Sequence, residues 1–195
     1  MNVIRNILAI VGVLAIVAAG VLYPKISAYK ARFAEFDPNA GDVYMDMMGK
    51  LMETGNAAEA TVWKVKADDG LTYDDVASSL ASITNEVNLL NVGTLPFYKQ
   101  VQAVTGKPYR KVTFFLVCDA AIGAMMLDHS DAYSAYMPCR ISLVEAKDGS
   151  IWLYSLNMDP MIYGGTPLPD DVKAKALEVK SKILEIMNRA AKGDF

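Results

Sequence analysis

An uninterrupted apolar run near the N-terminus constrains this chain more than any other feature of its sequence. No charged side chain occurs from Ile7 to Tyr23, and apolar residues extend back to Val3. About 20 apolar residues in a helix, at about 1.5 Å per residue, cross a hydrocarbon layer about 30 Å thick. Tyrosine is frequent at the membrane interface, where Tyr23 would lie, and Lys25 follows it. The run predicts a single transmembrane anchor over residues 1–23, in contact with membrane lipid.

The same segment has a second interpretation as a cleaved signal peptide. Arg5 would form its basic region, and the small residues at 17–19 would form the cleavage site. The apolar run continues past that site, which favours the anchor. A short N-terminal tail usually stays in the cytoplasm. The basic residues on the two sides of the run do not by themselves fix the orientation, because Lys25, Lys30 and Arg32 follow the run whereas only Arg5 precedes it. We expect a single-pass protein of the bacterial inner membrane with a periplasmic domain.

Composition and motif content exclude several classes of protein. The 195 residues carry 19 basic and 22 acidic side chains. The segment 1–23 contains one of these charges, Arg5, so the rest of the chain has 18 basic and 22 acidic groups and a net charge of −4. An acidic domain binds a phosphate backbone poorly, so we expect no nucleic-acid partner. The chain has no phosphate-binding loop, dinucleotide fingerprint, zinc-ligand spacing or triad signature, so we expect no catalytic residues, cofactor or metal.

Residues 24–59 are predicted to form two amphipathic helices and a linker beside the membrane. The first helix would end at Asp37-Pro38 and has apolar residues at steps of three and four, namely Ile26, Tyr29, Phe33 and Phe36. This face would pack on the domain, lie among lipid headgroups or meet a partner helix, and we take packing on the domain as the default. The second helix would run from about Asp42 to Thr54, with Gly55-Asn56 as its end.

The second of these helices contains a cluster of methionines, at Met45, Met47, Met48 and Met52. Thioethers are soft ligands, so one interpretation is a copper(I) site. Met48 and Met52 are one helical turn apart, but Met47 points elsewhere and no His or Cys is nearby. We therefore favour packing in the core or against a partner.

A compact domain is predicted over residues 60–162. Its predicted elements, in chain order, are a half-buried strand at 61–66, a helix beginning at Thr72, extended pieces at 89–92 and 95–101, a central strand at 112–118 covered on both faces, a helix at 119–127 and an ordered loop at 128–138. Two β-prone runs flank Asp148-Gly149 and predict a hairpin. Residues 163–195 would add a helix from about Pro169 to Lys192 whose apolar face covers the sheet.

The central residues resemble the DUF302 family, an uncharacterised family of bacteria and archaea. The resemblance covers residues 60–162 and depends on the strand end Leu116-Val117-Cys118-Asp119, the block Met137-Pro138-Cys139-Arg140 and the hairpin end Asn157-Met158-Asp159-Pro160. It implies a small α+β domain in which an antiparallel sheet is packed by helices, similar to the TBP-like arrangement and prone to pair into homodimers. It implies no activity. The anchor, the methionine-containing helix and the C-terminal helix look like additions to this family domain.

A candidate pocket is predicted where the two cysteines meet. Cys118 ends one strand and Cys139 begins another, close to Arg140, so the thiols would be neighbours at one edge of the sheet. They would form a disulfide in an oxidising compartment, or Arg140 would favour a reactive thiolate. The alternative is that both are buried core residues. Asp119 and His129 complete the candidate set, although a lone His with flanking carboxylates is more often solvated.

Two functions follow from these features. The first is a membrane-anchored, non-catalytic accessory or assembly subunit of a membrane protein complex, because helices with surplus apolar faces usually need a covering partner. The alternative is a small-molecule-binding or thiol-redox module that uses Cys118 and Cys139.

Overall fold

The computed structural model describes residues 2–194 and begins with a long helix, α1 (Asn2–Phe33). Within the described residues, this is the one helix that is long and apolar enough to cross a membrane. The apolar run and the first amphipathic segment form one continuous helix, because Pro24 removes only one backbone donor and does not end it. The helix ends at Phe33, so the predicted end at Asp37-Pro38 was wrong.

The remaining elements alternate short helices with five strands. The helices are α2 (Ala40–Thr54), α3 (Ala57–Ala60), α4 (Tyr73–Glu86), α5 (Phe97–Thr105), α6 (Ala120–His129), α7 (Asp159–Tyr163) and α8 (Asp170–Ala190). The strands are β1 (Val62–Lys66), β2 (Leu90–Leu95), β3 (Val112–Cys118), β4 (Cys139–Glu145) and β5 (Ile151–Leu156). A 3-10 helix spans Asp131–Tyr136, in the segment predicted to be a loop.

The five strands form one antiparallel sheet in the order β1-β5-β4-β3-β2. This confirms the α+β fold with an antiparallel sheet packed by helices. The predicted hairpin is formed by β4 and β5, in which Leu143 pairs with Leu153. The predicted central strand, β3, lies inside the sheet between β4 and β2.

One face of the sheet is covered by α4, α6 and α8, and the core lies between them. Strand residues such as Phe115, Ile141 and Leu153 meet the apolar faces of these helices in a single buried cluster. The buried residues of α8 lie on one side of the helix and form the predicted apolar face, namely Val172, Ala176, Val179, Ile183, Ile186, Met187 and Ala190. The 3.6-residue period therefore identified the side of α8 that covers the sheet.

The other face of the sheet, which we call the outer face, is covered only in part. Phe97 at the start of α5 stacks on Phe114 of β3, with ring centroids 5.4 Å apart. Leu116 on the same face of β3 is half-buried, so β3 is not fully covered on both sides as predicted.

The sequence prediction of an extended piece at 95–101 was also wrong, because Pro96 starts α5 there. Proline fixes a backbone angle that suits the start of a helix as well as a strand end.

The segment after α1 is fixed to the domain by a buried ion pair. The Asp37 side chain is 1% exposed and accepts a hydrogen bond from Lys173 of α8 at 2.5 Å. The backbone and side-chain N–H groups of Asn39 donate to the same carboxylate at 2.9 Å, and the Asp37 N–H donates to the Gly165 carbonyl. Tyr44 of α2 adds a hydrogen bond to the Gly164 carbonyl at 2.5 Å. These contacts attach α2 to the loop before α8.

This attachment predicts a specific loss of stability in acid. The hydrogen bond from Lys173 lowers the pKa of Asp37 below its ordinary 3.8. A carboxylate with a lowered folded pKa stabilises the protein above its unfolded pKa, and this contribution is lost as the pH falls from 3.8 toward the folded pKa. We expect the midpoint of thermal unfolding to fall less between about pH 5 and pH 2 in Asp37→Asn than in the wild type. The exposed Asp42→Asn is the matched control, and equal acid dependence in all three proteins would contradict the prediction.

Candidate functional site

The two cysteines lie together at one end of the sheet. Cys118 is the last residue of β3 and Cys139 is the first of β4, and Val117 pairs with Cys139 across the two antiparallel strands. Both thiols are free. Asp119 follows Cys118 directly and caps α6, since its carboxylate accepts hydrogen bonds from the backbone N–H groups of Ala121 and Ile122 at 3.1 Å. The antiparallel register therefore brings the two cysteines to the same end of the sheet.

A small cavity of about 60 Å³ opens beside the two thiols. Its walls come from the ends of β3 and β4, from α6 and α7, from the 3-10 helix and from the buried face of α8. Six of its lining side chains carry sulfur, namely Cys118, Met126, Met137, Cys139, Met158 and Met161. We call this space the sulfur cavity. Sequence reasoning identified the two cysteines but missed the four methionines, because these come from three separate segments and share no spacing.

Burial makes both thiols weak acids. Loss of contact with water raises the pKa of Cys139 to about 11, and the neighbouring Cys118 contributes to the rise. The pKa of Cys118 is also raised, first by burial and then by Asp119. Arg140 does not counteract this, because its guanidinium lies over the Phe114 ring, 5.4 Å from the centroid, on the outer face. The expectation that Arg140 favours a thiolate was wrong, since adjacent residues of a strand point to opposite faces.

These pKa shifts predict slow alkylation of the folded protein. Thiolate is the reacting form, and a pKa of about 11 in place of 9.0 lowers the thiolate fraction of Cys139 at pH 8 by about a hundredfold. We expect iodoacetamide to modify native Cys139 at least about a hundredfold more slowly than the same residue in guanidinium-unfolded protein. Intact mass and peptide mapping over time measure both rates. Comparable rates in the two states would show that Cys139 is not a buried, protonated thiol in the folded protein.

Arg140 belongs to a wider groove on the outer face. The groove has a volume of about 450 Å³ and is lined by both apolar and polar side chains, among them Val62, Leu116, Arg140, Ser142, Tyr154 and Leu156. Arg140 is exposed there. We call this space the outer groove. The outer groove adjoins the sulfur cavity, and Tyr136, Met137, Cys139, Met158 and Met161 line both spaces. The rest of its wall is the outer face of the sheet.

His129 lies apart from both spaces. It is the last residue of α6, is exposed and has its ring centroid 6.2 Å from that of Tyr133. The structure therefore does not bring His129 together with Cys118, Cys139 and Arg140 as predicted. Over residues 2–194, no group of three or more His, Cys, Asp or Glu side chains is arranged to hold a metal ion.

The methionines of α2 form an exposed row. Met45, Met48 and Met52 are 71%, 52% and 78% exposed and lie on one face of the helix, whereas Met47 is half-buried on another. We call these three residues the Met stripe. The core-packing half of the prediction was wrong for these three residues, because α2 contacts the rest of the domain through the side that carries Ala40 and Tyr44. Packing against a partner stays a prediction.

Comparison with known proteins identifies the family of the domain. The family model described as "Domain of unknown function DUF302" matches residues 63–190. The chain belongs to the DUF302 family. The match includes the whole of α8, so this helix is part of the family domain. The expectation that α8 is an addition to the domain was wrong.

Two proteins illustrate the relationship. An "Uncharacterized protein" of Aquifex aeolicus (strain VF5) is 30% identical over 135 residues, which cover 67% of this chain and 87% of that protein. The crystal structure of an uncharacterized conserved DUF302 protein from Bacillus stearothermophilus aligns with a TM-score of 0.56 at 11% identity, covering 67% of this chain and 98% of that chain. This second similarity concerns the fold, and it confirms the arrangement of sheet and helices.

Proposed function

We propose that this DUF302 protein is a membrane-anchored, non-catalytic accessory subunit of a membrane protein complex, with its domain on the periplasmic side. The Met stripe is the observation that supports the proposal. Exposed apolar rows of this kind are unusual on monomeric proteins and are typical of interaction surfaces. Methionine suits such a surface, because its flexible thioether adapts to irregular partners.

The position of the stripe in the fold also supports this function. Only residues 34–39 separate the apolar helix α1 from α2. The hydrogen bond from Tyr44 to Gly164 and the ion pair of Asp37 with Lys173 hold α2 on the domain. If α1 spans the bilayer, the Met stripe is presented close to the membrane surface in a fixed orientation. A membrane-embedded partner with an extramembrane helix or loop would meet the stripe there.

Position-specific crosslinking in native membranes tests this function. A photoreactive amino acid replaces Met45, Met48 or Met52 in the full-length protein, and Asp46 or Glu53 on the acidic side of α2 serves as the matched control. We expect one discrete crosslinked protein from the stripe positions and none from the controls. The double substitution Met45→Glu with Met52→Glu should abolish the crosslink made at position 48.

Two results would contradict the accessory-subunit function. One is a crosslinking pattern that does not differ between stripe and control positions. The other is crosslinking at the stripe to lipid alone, which would make the Met stripe a membrane contact and not a protein interface.

The outer groove supports a second candidate function, the binding of an amphipathic anion. Its volume of about 450 Å³ is within the usual range of ligand sites, and its apolar wall adjoins the exposed guanidinium of Arg140. A carboxylate or sulfate headgroup would pair with Arg140 while an apolar chain lies on Leu116 and Leu156. In nanodisc-embedded protein, calorimetric titration with decanoate should give a dissociation constant about tenfold weaker for Arg140→Gln than for the wild type. The exposed Lys147→Gln is the control, and equal affinities in all three proteins would contradict this candidate.

A further inference from the structure

We propose that the sulfur cavity binds one copper(I) ion through Cys118, Cys139 and the thioether of Met137. This site is independent of the Met stripe and of the accessory function. The chain has eleven methionines and two cysteines, and six of these thirteen sulfur atoms line a single small cavity. Apolar packing alone needs no such concentration of sulfur, because Leu, Ile and Val fill core space equally well.

The sulfur atoms are placed around a common space. A Cβ atom at Gly123 of α6 would lie 3.4 Å from the Met137 Sδ and 4.0 Å from the Cys118 Sγ, so both sulfurs face the same point of this helix. Cys139 enters from the adjacent strand, where it pairs with Val117, and it lines the same cavity as Cys118. The three sulfurs thus approach one cavity from two segments of the chain, the end of β3 and residues 137–139. Met126, Met158 and Met161 complete the wall.

The size and chemistry of the cavity select the kind of ligand. A volume of about 60 Å³ accommodates an ion, whereas an engineered cavity that binds benzene measures about 150 Å³. Thiolate and thioether ligands select copper(I), whereas magnesium and calcium need oxygen ligands. A closed zinc site needs four Cys, His or carboxylate ligands. The cavity offers two thiols and no imidazole, and its one carboxylate, Asp119, already accepts two hydrogen bonds at the start of α6.

Binding is an exchange of protons for the metal, with no change of oxidation state. Two copper–sulfur bonds form, the S–H bonds of Cys118 and Cys139 break, and two protons pass to the solvent. The Met137 thioether coordinates the ion as a neutral donor and releases no proton. The bound site carries one net negative charge, and the thiolates are held by the metal inside apolar walls.

Competition with a coloured chelator tests the site. Full-length protein in detergent, reduced and kept free of oxygen, is titrated into the copper(I) complex of bicinchoninate, and the loss of absorbance reports transfer of the metal. We expect one copper(I) per chain. Cys118→Ala and Cys139→Ala should each weaken binding by about a hundredfold or more, and Met137→Leu by about tenfold. The matched control is Met48→Leu on the exposed Met stripe, which should bind as the wild type does.

X-ray absorption of the wild-type complex gives a second, independent readout. We expect a first coordination shell composed of sulfur alone. Failure of the wild type to take copper(I) from the chelator, a shell containing nitrogen or oxygen, or one copper per two chains would each overturn the proposal. Near-ultraviolet circular dichroism establishes whether the alanine variants fold. A folded Cys139→Ala variant that binds copper(I) as tightly as the wild type would also overturn the proposal. If that variant does not fold, the affinity of Met137→Leu and the X-ray absorption spectrum of the wild type test the site instead.

Discussion

Deletion of residues 2–33 should move the protein completely from the membrane fraction to the soluble fraction. These residues form α1, whose described apolar side chains are exposed in the structure, and none of them belongs to the buried core cluster. Each apolar residue at the centre of a membrane helix contributes about 0.3–0.6 kcal/mol to insertion, so removal of the whole run abolishes anchoring. The core should remain intact. Alkaline extraction of membranes and near-ultraviolet circular dichroism of the soluble product measure both effects.

The wild type provides the control for this deletion, because intact mass distinguishes the anchor from a signal peptide. An anchored protein keeps residues 1–23 and resists alkaline extraction. Recovery of wild-type protein in the soluble fraction, with a mass that lacks the first 19 or so residues, would contradict the anchor and support the cleaved signal peptide.

Ile183→Asp should prevent the domain from folding. Ile183 is fully buried on α8, between this helix and the covered face of the sheet. An unpaired carboxylate at this place costs several kcal/mol, a large part of the 5–15 kcal/mol that stabilises a typical domain. We expect loss of the near-ultraviolet circular dichroism signal and of a cooperative thermal transition. The effect is large because α8 packs on both α4 and α6, so one buried charge disturbs all three helices.

Two substitutions isolate the effect of the buried charge. Ser181→Asp places the same side chain on the exposed side of α8, two residues earlier, and should leave the unfolding midpoint nearly unchanged. Ile183→Val removes one methylene and should cost about 1 kcal/mol. A cooperative transition for Ile183→Asp within a few degrees of the wild type would show that α8 is not part of the folded core.

Local features were predictable from the sequence because they depend on neighbouring residues. Thr72 and Asp75 form a capping box at the predicted start of α4. The Thr72 hydroxyl accepts a hydrogen bond from the Asp75 N–H, and the Asp75 carboxylate accepts one from the Thr72 N–H. Gly55 ends α2 in the left-handed conformation, which glycine adopts without steric cost. The turn at Gly149, also at positive φ, joins β4 and β5 as expected.

The errors occurred where local preferences were nearly balanced. The segment after Pro96 is short and mixes aromatic with polar residues, so its pattern did not distinguish a strand from a helix. Stacking of Phe97 on Phe114 stabilises the helix α5 on the outer face. The 3-10 helix begins at Ser130, whose hydroxyl accepts a hydrogen bond from the Ala132 N–H, in a stretch whose polar composition indicated only a loop.

The sequence alone determined the apolar helix, most elements of the α+β domain and the meeting of Cys118 with Cys139, because spacing along the chain and strand ends specify them. Only the tertiary structure decided what surrounds the two thiols. Side chains alternate across a strand, so the register that buries Cys139 turns Arg140 to the outer groove. Helix packing brings the four methionines of α6, α7 and the segment before β4 to one cavity. The methionines meet only through contacts between distant segments of the chain, and no local pattern in the sequence specifies such contacts.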